Sequence, residues 1–173
     1  MVHDVTSSSH DATKRPADIL IGRPFGGTAI LFRKSIADKV HVCHTDVSRI
    51  TAIVLDTDMG PLLLANVYMP TNYGDSESLE LYVDCLSRLH ALIIDTNIAH
   101  VIIPGDFNCS VGSRFFEEFS NFALENNLII SDMLRLSDVV TYVSDNFTKS
   151  SWIDHVLCSV ALNNLISDIM CFR

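Results

Sequence analysis

The stretch from His100 to Asn108, His-Val-Ile-Ile-Pro-Gly-Asp-Phe-Asn, constrains the fold more than any other part of the chain. Val101, Ile102 and Ile103 are β-formers stopped by Pro104-Gly105, after which Asp106 and Asn108 stand two positions apart. The pattern predicts a strand that ends in a polar site. With the chain extended across Asp106-Phe107-Asn108, the two-residue period directs the carboxylate and the carboxamide to one side and turns Phe107 into the core. Open sheets commonly place their chemistry at such C-terminal strand ends. A Pro-Gly-Asp turn accounts for the same residues, because Gly, Asp and Asn favour turns anywhere. Both readings stand at this point.

A chain of 173 residues is expected to form one domain that buries most of its apolar surface. With 48% hydrophobic and 19% charged residues, it should fold around a core rather than stay disordered. Apolar runs such as Ala91-Leu92-Ile93-Ile94 are too short to span a bilayer, and Met1 is followed by His3, Asp4 and serines in place of an apolar leader. The expectation is a soluble, intracellular protein, nuclear or cytoplasmic, with no membrane partner. Five widely spaced cysteines without a Cys-x-x-Cys pair fit neither a disulfide framework nor a zinc site. His41, Cys43 and His44 read as an ordinary strand, since His41 and Cys43 face one way and His44 the other. A net charge of -9, from 12 basic and 21 acidic residues, argues against a broad basic surface for nucleic acid. It leaves a polynucleotide substrate open, because charge can be concentrated locally.

Along the chain, residues 1–20 read as a disordered or extended lead-in, and a Gly/Pro-rich loop then enters a strand at residues 28–33. That loop lacks the Gly-Lys-Ser/Thr and Gly-x-Gly-x-x-Gly patterns of nucleotide loops. Strands are predicted at residues 40–43 and 48–55. A hairpin at Asp56-Thr57-Asp58-Met59-Gly60 leads into a strand at residues 61–68 buried on both faces. Residues 75–96 predict a helix with Leu79, Val83, Leu86, His90 and Ile93 as its apolar face and His90 in the core. Residues 113–126 predict a second helix whose Phe115, Phe116, Phe119 and Phe122 form a packing stripe. Further strands are expected at residues 128–131, 139–143, 150–159 and 169–172, with a short helix or turn at 162–166. In the strand at 150–159, alternation sets Trp152, Asp154 and Val156 opposite Ile153, His155 and Leu157. A carboxylate in mid-strand is costly to bury, so Asp154 is either a functional acid or the partner of a buried His or Arg.

Four segments carry these signals together: Gly22-Arg23-Pro24-Phe25-Gly26-Gly27, Asn66-Val67-Tyr68-Met69-Pro70, Gly105-Asp106-Phe107-Asn108 and Ser151-Trp152-Ile153-Asp154-His155-Val156-Leu157. In this order and spacing they resemble the endonuclease/exonuclease/phosphatase superfamily. More narrowly, they resemble the endonuclease domain of non-LTR retrotransposons, which is similar to apurinic/apyrimidinic endonucleases and DNase I. The resemblance implies one such domain at residues 21–173, an α/β four-layer α-β-β-α sandwich of two mainly antiparallel sheets. It also implies metal-assisted phosphoester hydrolysis with Mg²⁺ or Mn²⁺, and DNA as substrate. Asp106 would match the acid that orients or deprotonates the attacking water, and Asn108 the amide that holds a phosphate oxygen or the metal. Asp106 and Asn108 are thus the implied metal residues, Tyr68 the hydroxyl near the phosphate, and Asp154 the strand acid that orients a catalytic histidine. Asn72, just beyond Pro70, is the candidate substrate-binding residue. Three parts of the family pattern are absent: an Asn on an N-terminal strand, a metal-binding Glu on the next strand, and an Asp-His pair near the C-terminus. The domain is therefore expected to be incomplete at both ends, with exposed sheet edges that favour self-association. Three functions follow from the resemblance: a DNA-nicking phosphodiesterase, an inactive retroelement-derived fragment or binding domain, or a phosphatase acting on a small phosphoester.

Overall fold

The computed structural model describes residues 27–171. The lead-in at residues 1–20 and most of the Gly/Pro-rich loop lie outside the described residues.

Hydrophobic alternation builds a six-stranded sheet in the order β1 (Val40–Cys43), β2 (Ile50–Thr57), β3 (Gly60–Tyr68), β4 (His100–Asp106), β8 (Asp154–Ser159), β5 (Leu128–Ile130). The β3–β4 pair is parallel and is joined by helix α1 (Ser76–Thr96); all other pairs are antiparallel. Between β5 and β8 the chain forms α3 (Ser131–Arg135) and a two-stranded antiparallel sheet, β6 (Tyr142–Val143) with β7 (Ser150–Ser151). Helix α4 (Val160–Asn163) follows β8. The architecture is the mixed α/β, sandwich-type arrangement that the sequence predicts.

Helices α1 and α2 (Arg114–Glu125) close the inner face of the large sheet. Ala52, Leu63, Ala65, Val67, Val101, Ile103 and Leu157 of the strands meet Tyr82, Leu89, Phe115, Phe119 and Phe122 of the helices in one core. The ring of Tyr82 packs on that of Phe115 at 4.3 Å, and Phe107 on Phe119 at 4.5 Å. Both helices begin at side-chain caps that satisfy an orphan N–H. Asp75 accepts from Ser78 N–H at 2.8 Å, and Ser113 accepts from Phe116 N–H at 3.1 Å. On the outer face of the sheet, a cavity of about 1000 Å³ is lined by Pro104 and Val156 of the large sheet and by Val143 and Ser150 of the small one. Among the described residues, no helix is long and apolar enough to cross a membrane.

Several local expectations are corrected. Residues 28–33 are not a strand: the Thr51 hydroxyl donates to Thr28 O and Asn66 Nδ2 to Ala29 O, so side chains hold this segment where a backbone ladder would. β3 is fully buried on its Leu63–Ala65–Val67 face alone, with Leu62 and Leu64 half-covered on the other. In α1 the buried stripe runs through Ser78, Tyr82, Cys85, Leu86 and Leu89, which turns Val83 and His90 outward. His90 is exposed, its Nδ1 2.8 Å from Asn126 Oδ1, because the large Tyr82 ring sets the rotation of the helix. The strand expected at 139–143 is reduced to Tyr142–Val143. The strand expected at 150–159 breaks at Trp152 and Ile153 as the chain passes from the small sheet to the large one. There the Ile153 and Asp154 N–H groups turn to Thr141 Oγ1. Residues 169–171 form no strand, and Phe172 lies outside the described residues.

Candidate active site

β3, β4 and β8 end side by side, and their register places three of the predicted site residues in one row. Tyr68 is the partner of Asp106 across β3–β4, and Asp106 is the partner of Asp154 across β4–β8. Register partners share a face. A phenol and two carboxylates therefore line the outer face at one end of the sheet, while Val67, Gly105 and His155 form the matching inner row. Gly105 permits this closeness: a Cβ there would lie 2.1 Å from the Val67 carbonyl oxygen.

Beyond Asp106 the chain turns instead of staying extended. Asn108 has φ 49°, in the left-handed region that Asn tolerates better than most residues. Its N–H donates to Asp106 Oδ1 at 2.9 Å, and its Nδ2 donates to Met69 O at 2.8 Å, which ties the turn to the end of β3. Asp106 and Asn108 are thus neighbours, as the sequence predicts, through a turn rather than through strand alternation. Phe107 is fully buried between them.

Burial pushes the Asp106 carboxyl up to about 6; the Asn108 N–H opposes that rise, the Asp154 carboxylate adds to it, and His155 opposes it. Asp154 is exposed at the start of β8, not buried in mid-strand as expected, so it has no burial cost that a partner must offset. Tyr68 is held from the turn just before β2: Arg49 Nη1 donates to its carbonyl at 3.1 Å, and the guanidinium carbon lies 5.3 Å from the ring centroid, a cation–π distance. Asn72 is exposed, and its Oδ1 accepts from Gly74 N–H at 2.9 Å; it shapes the turn into α1. No hydrogen bond joins it to Tyr68, Asp106 or Asp154 among the described residues.

Sequence reasoning passed over four residues. Arg49 supports Tyr68, Thr141 fixes the entry into β8, and buried Asp132 pairs with buried His155 behind the row. The last pair had a usable signal, a polar residue at an inward-facing position of an apolar strand.

Among the described residues, no group of three or more His, Cys, Asp or Glu side chains converges as a cage. Mg²⁺ rarely needs one, since one or two carboxylates with waters and phosphate oxygens suffice. Asp106 and Asp154 side by side, with the Asn108 amide next to Asp106, meet that lower requirement.

No family model matches the sequence, and no curated protein matches it. Solved structures do. The endonuclease domain of TRAS1, a telomere-specific non-LTR retrotransposon, superposes with a TM-score of 0.60 at 16% identity over 82% of this chain and 68% of that one. The 3′ phosphatase NExo from Neisseria, in a D146N form bound to a product DNA hairpin, gives 0.58 at 18% identity over 72% of this chain and 59% of that one. The fold is that of the endonuclease/exonuclease/phosphatase proteins. Within that fold, the chain is similar to a retrotransposon endonuclease domain and to a 3′ phosphatase, and it spans about two thirds or less of the length of each.

Proposed function

We propose that the chain is a metal-dependent phosphodiesterase that nicks DNA, with Asp106, Asn108, Tyr68 and Asp154 at its centre. The row Tyr68–Asp106–Asp154, with Asn108 turned onto Asp106, carries this reading. A carboxyl that titrates near 6 is ionised at neutral pH yet basic enough to take a proton from water, the property wanted in a general base. Asp106 takes that proton as the water oxygen bonds to phosphorus and the bond to the leaving sugar oxygen breaks. The Tyr68 hydroxyl and the free amide hydrogen of Asn108 donate to non-bridging phosphate oxygens, where negative charge grows. Asp106 and Asn108, with the Asp154 carboxylate beside them, would hold Mg²⁺ or Mn²⁺. The ion would supply charge neutralisation at the phosphate and leaving group. Asn72, exposed in the loop after β3, would contact the substrate strand.

The test is nicking of supercoiled DNA by the purified chain with Mg²⁺ or Mn²⁺. Asp106→Ala should slow it by about 10²–10⁴-fold; equal rates in the two proteins would refute the assignment. The acidic balance of the chain, -9, favours a second reading with the same chemistry on a small phosphoester. A weak dependence of substrate affinity on salt would support that reading, whereas the steep fall that follows from many phosphate contacts would favour DNA.

A further inference from the structure

His155 is 1% exposed and Asp132 3%, so two ionisable side chains are shut inside the core directly behind the site. They are bonded, His155 Nδ1 lying 2.8 Å from Asp132 Oδ2, while Asp132 Oδ1 accepts from Val156 N–H at 2.9 Å. The other ring nitrogen, Nε2, lies 3.3 Å from the Cys109 carbonyl oxygen. The Cys109 carbonyl can only accept, so Nε2 is the donor in that bond, while Nδ1 and the Asp132 carboxyl share the hydrogen between them. Aromatic rings wall the pair in: Phe119 stacks on the imidazole at 5.2 Å and Trp152 at 5.8 Å, with Phe116 edge-on at 6.1 Å.

The Cys109 carbonyl belongs to the turn that carries Asn108, and the turn needs holding, because Asn108 is at φ 49°. On the outer side it is tied by Asn108 Nδ2 to Met69 O, and at its start by Phe107 N–H to Ile153 O at 2.9 Å. On the inner side, the bond to Cys109 comes from His155. We propose that His155, oriented by Asp132, is a positioning residue: it clasps the Cys109 carbonyl from inside and so fixes Asn108 and its N–H on Asp106. The functional half of this proposal rests on the phosphodiesterase reading above; the structural half does not.

Nitrogen-15 NMR of the full chain at neutral pH tests the structural half without any variant. Nε2 of His155 should carry a hydrogen; a bare Nε2 facing Cys109 would overturn the proposal. His155→Phe keeps the stacked ring and removes both nitrogens. It should shift the backbone amide resonances of Asn108 and Cys109 and speed their hydrogen exchange. Leu157→Val, a buried change two residues along the same strand, should leave those amides in place. Unmoved Asn108 and Cys109 amides in His155→Phe, or equal shifts in both variants, would overturn the proposal. Where DNA nicking is present, His155→Phe should lower kcat by about 10²-fold at unchanged KM, the effect of a catalytic group displaced by about 1 Å. Nicking absent from the wild type would sink the phosphodiesterase reading alone, with the ring and amide measurements still deciding the clasp. A shifted turn with full kcat would refute the link between clasp and catalysis.

Discussion

Replacing Gly105 by Ala tests whether the site depends on how closely β3 and β4 approach. The Ala Cβ would stand 2.1 Å from the Val67 carbonyl oxygen, 2.7 Å from Val67 Cγ2 and 2.9 Å from the Val67 carbonyl carbon. Two of these three atoms are backbone and cannot rotate away, so the strands themselves must part by about 1 Å to restore ordinary contact. Overpacking of this kind costs about 1–3 kcal/mol, and each ladder bond weakened beside it adds about 1. A total of about 3–5 kcal/mol would be a third or more of the about 5–15 kcal/mol that holds a typical domain together. The melting temperature should fall by about 10 °C, at about 2–4 °C per kcal/mol for a domain of this size. Equilibrium urea unfolding, followed by the fluorescence of Trp152, measures the loss. Gly60→Ala is the control, because Gly60 also has positive φ, +105°, yet nothing lies within 4 Å of an added Cβ. It should show only the conformational cost of about 1–2 kcal/mol. Equal unfolding midpoints for Gly105→Ala and Gly60→Ala would refute the close-approach argument.

Two other outcomes follow from the same geometry. In metal-free protein, the Asp106 carboxyl should titrate near 6 by carbon-13 NMR, and Asp154→Asn should bring the midpoint down by removing a neighbouring negative charge; an unchanged midpoint would mean that the two carboxylates do not interact. The sign for stability is fixed by the same shift. The folded carboxyl binds its proton more tightly than the unfolded one, so its contribution is full below about pH 4 and is lost as the pH rises through about 6. Finally, the buried Tyr82 hydroxyl faces the Cys109 thiol, a weak hydrogen-bonding group, and no stronger partner among the described residues, so Tyr82→Phe should change stability by no more than about 1 kcal/mol. A loss of more than about 2 kcal/mol in thermal unfolding would refute so weak a pairing.

The parts of this fold that were legible in the sequence are those set by local chemistry. β4 and the starts of both helices follow from an apolar run and from the Asp75 and Ser113 oxygens, although β4 runs on through Pro104-Gly105, the pair expected to stop it, as far as Asp106; the Phe stripe of α2 packs where its spacing puts it. What was not legible depends on distant partners. Two overlapping stripes in α1 both have helical spacing, and only the fit of Tyr82 against Phe115 chooses between them. The break in the strand at Trp152 and Ile153 requires Thr141 to take the N–H groups of Ile153 and Asp154, twelve and thirteen residues later. In the site, Asp106 and Asn108 were recognisable as a pair, but their turn geometry was not, because φ 49° at Asn108 goes with a bond to the carbonyl of Met69, just past the end of β3. Alternation correctly separated Asp154 from His155, and it could not show that the inward residue would find Asp132.

The acidic balance and the site geometry bear on each other. Asp106 and Asp154 are cross-strand partners, and like charges directly opposite each other are destabilising. Part of the raised Asp106 carboxyl is that repulsion. A phosphodiester brought to the same row adds another negative charge, and Arg49, the cation packed on Tyr68, is occupied with the Tyr68 carbonyl and ring. Under the proposed function, then, the chain without a divalent ion should repel its own substrate, and the ion relieves the carboxylate pair and the phosphate together. The same argument gives the carboxylate pair opposite effects in the two states of the site: Asp154→Asn should ease DNA binding in the metal-free chain and weaken it when Mg²⁺ is present. A net charge that is unfavourable over the whole surface is therefore compatible with DNA chemistry at one point of it, provided that the point is where the cation sits.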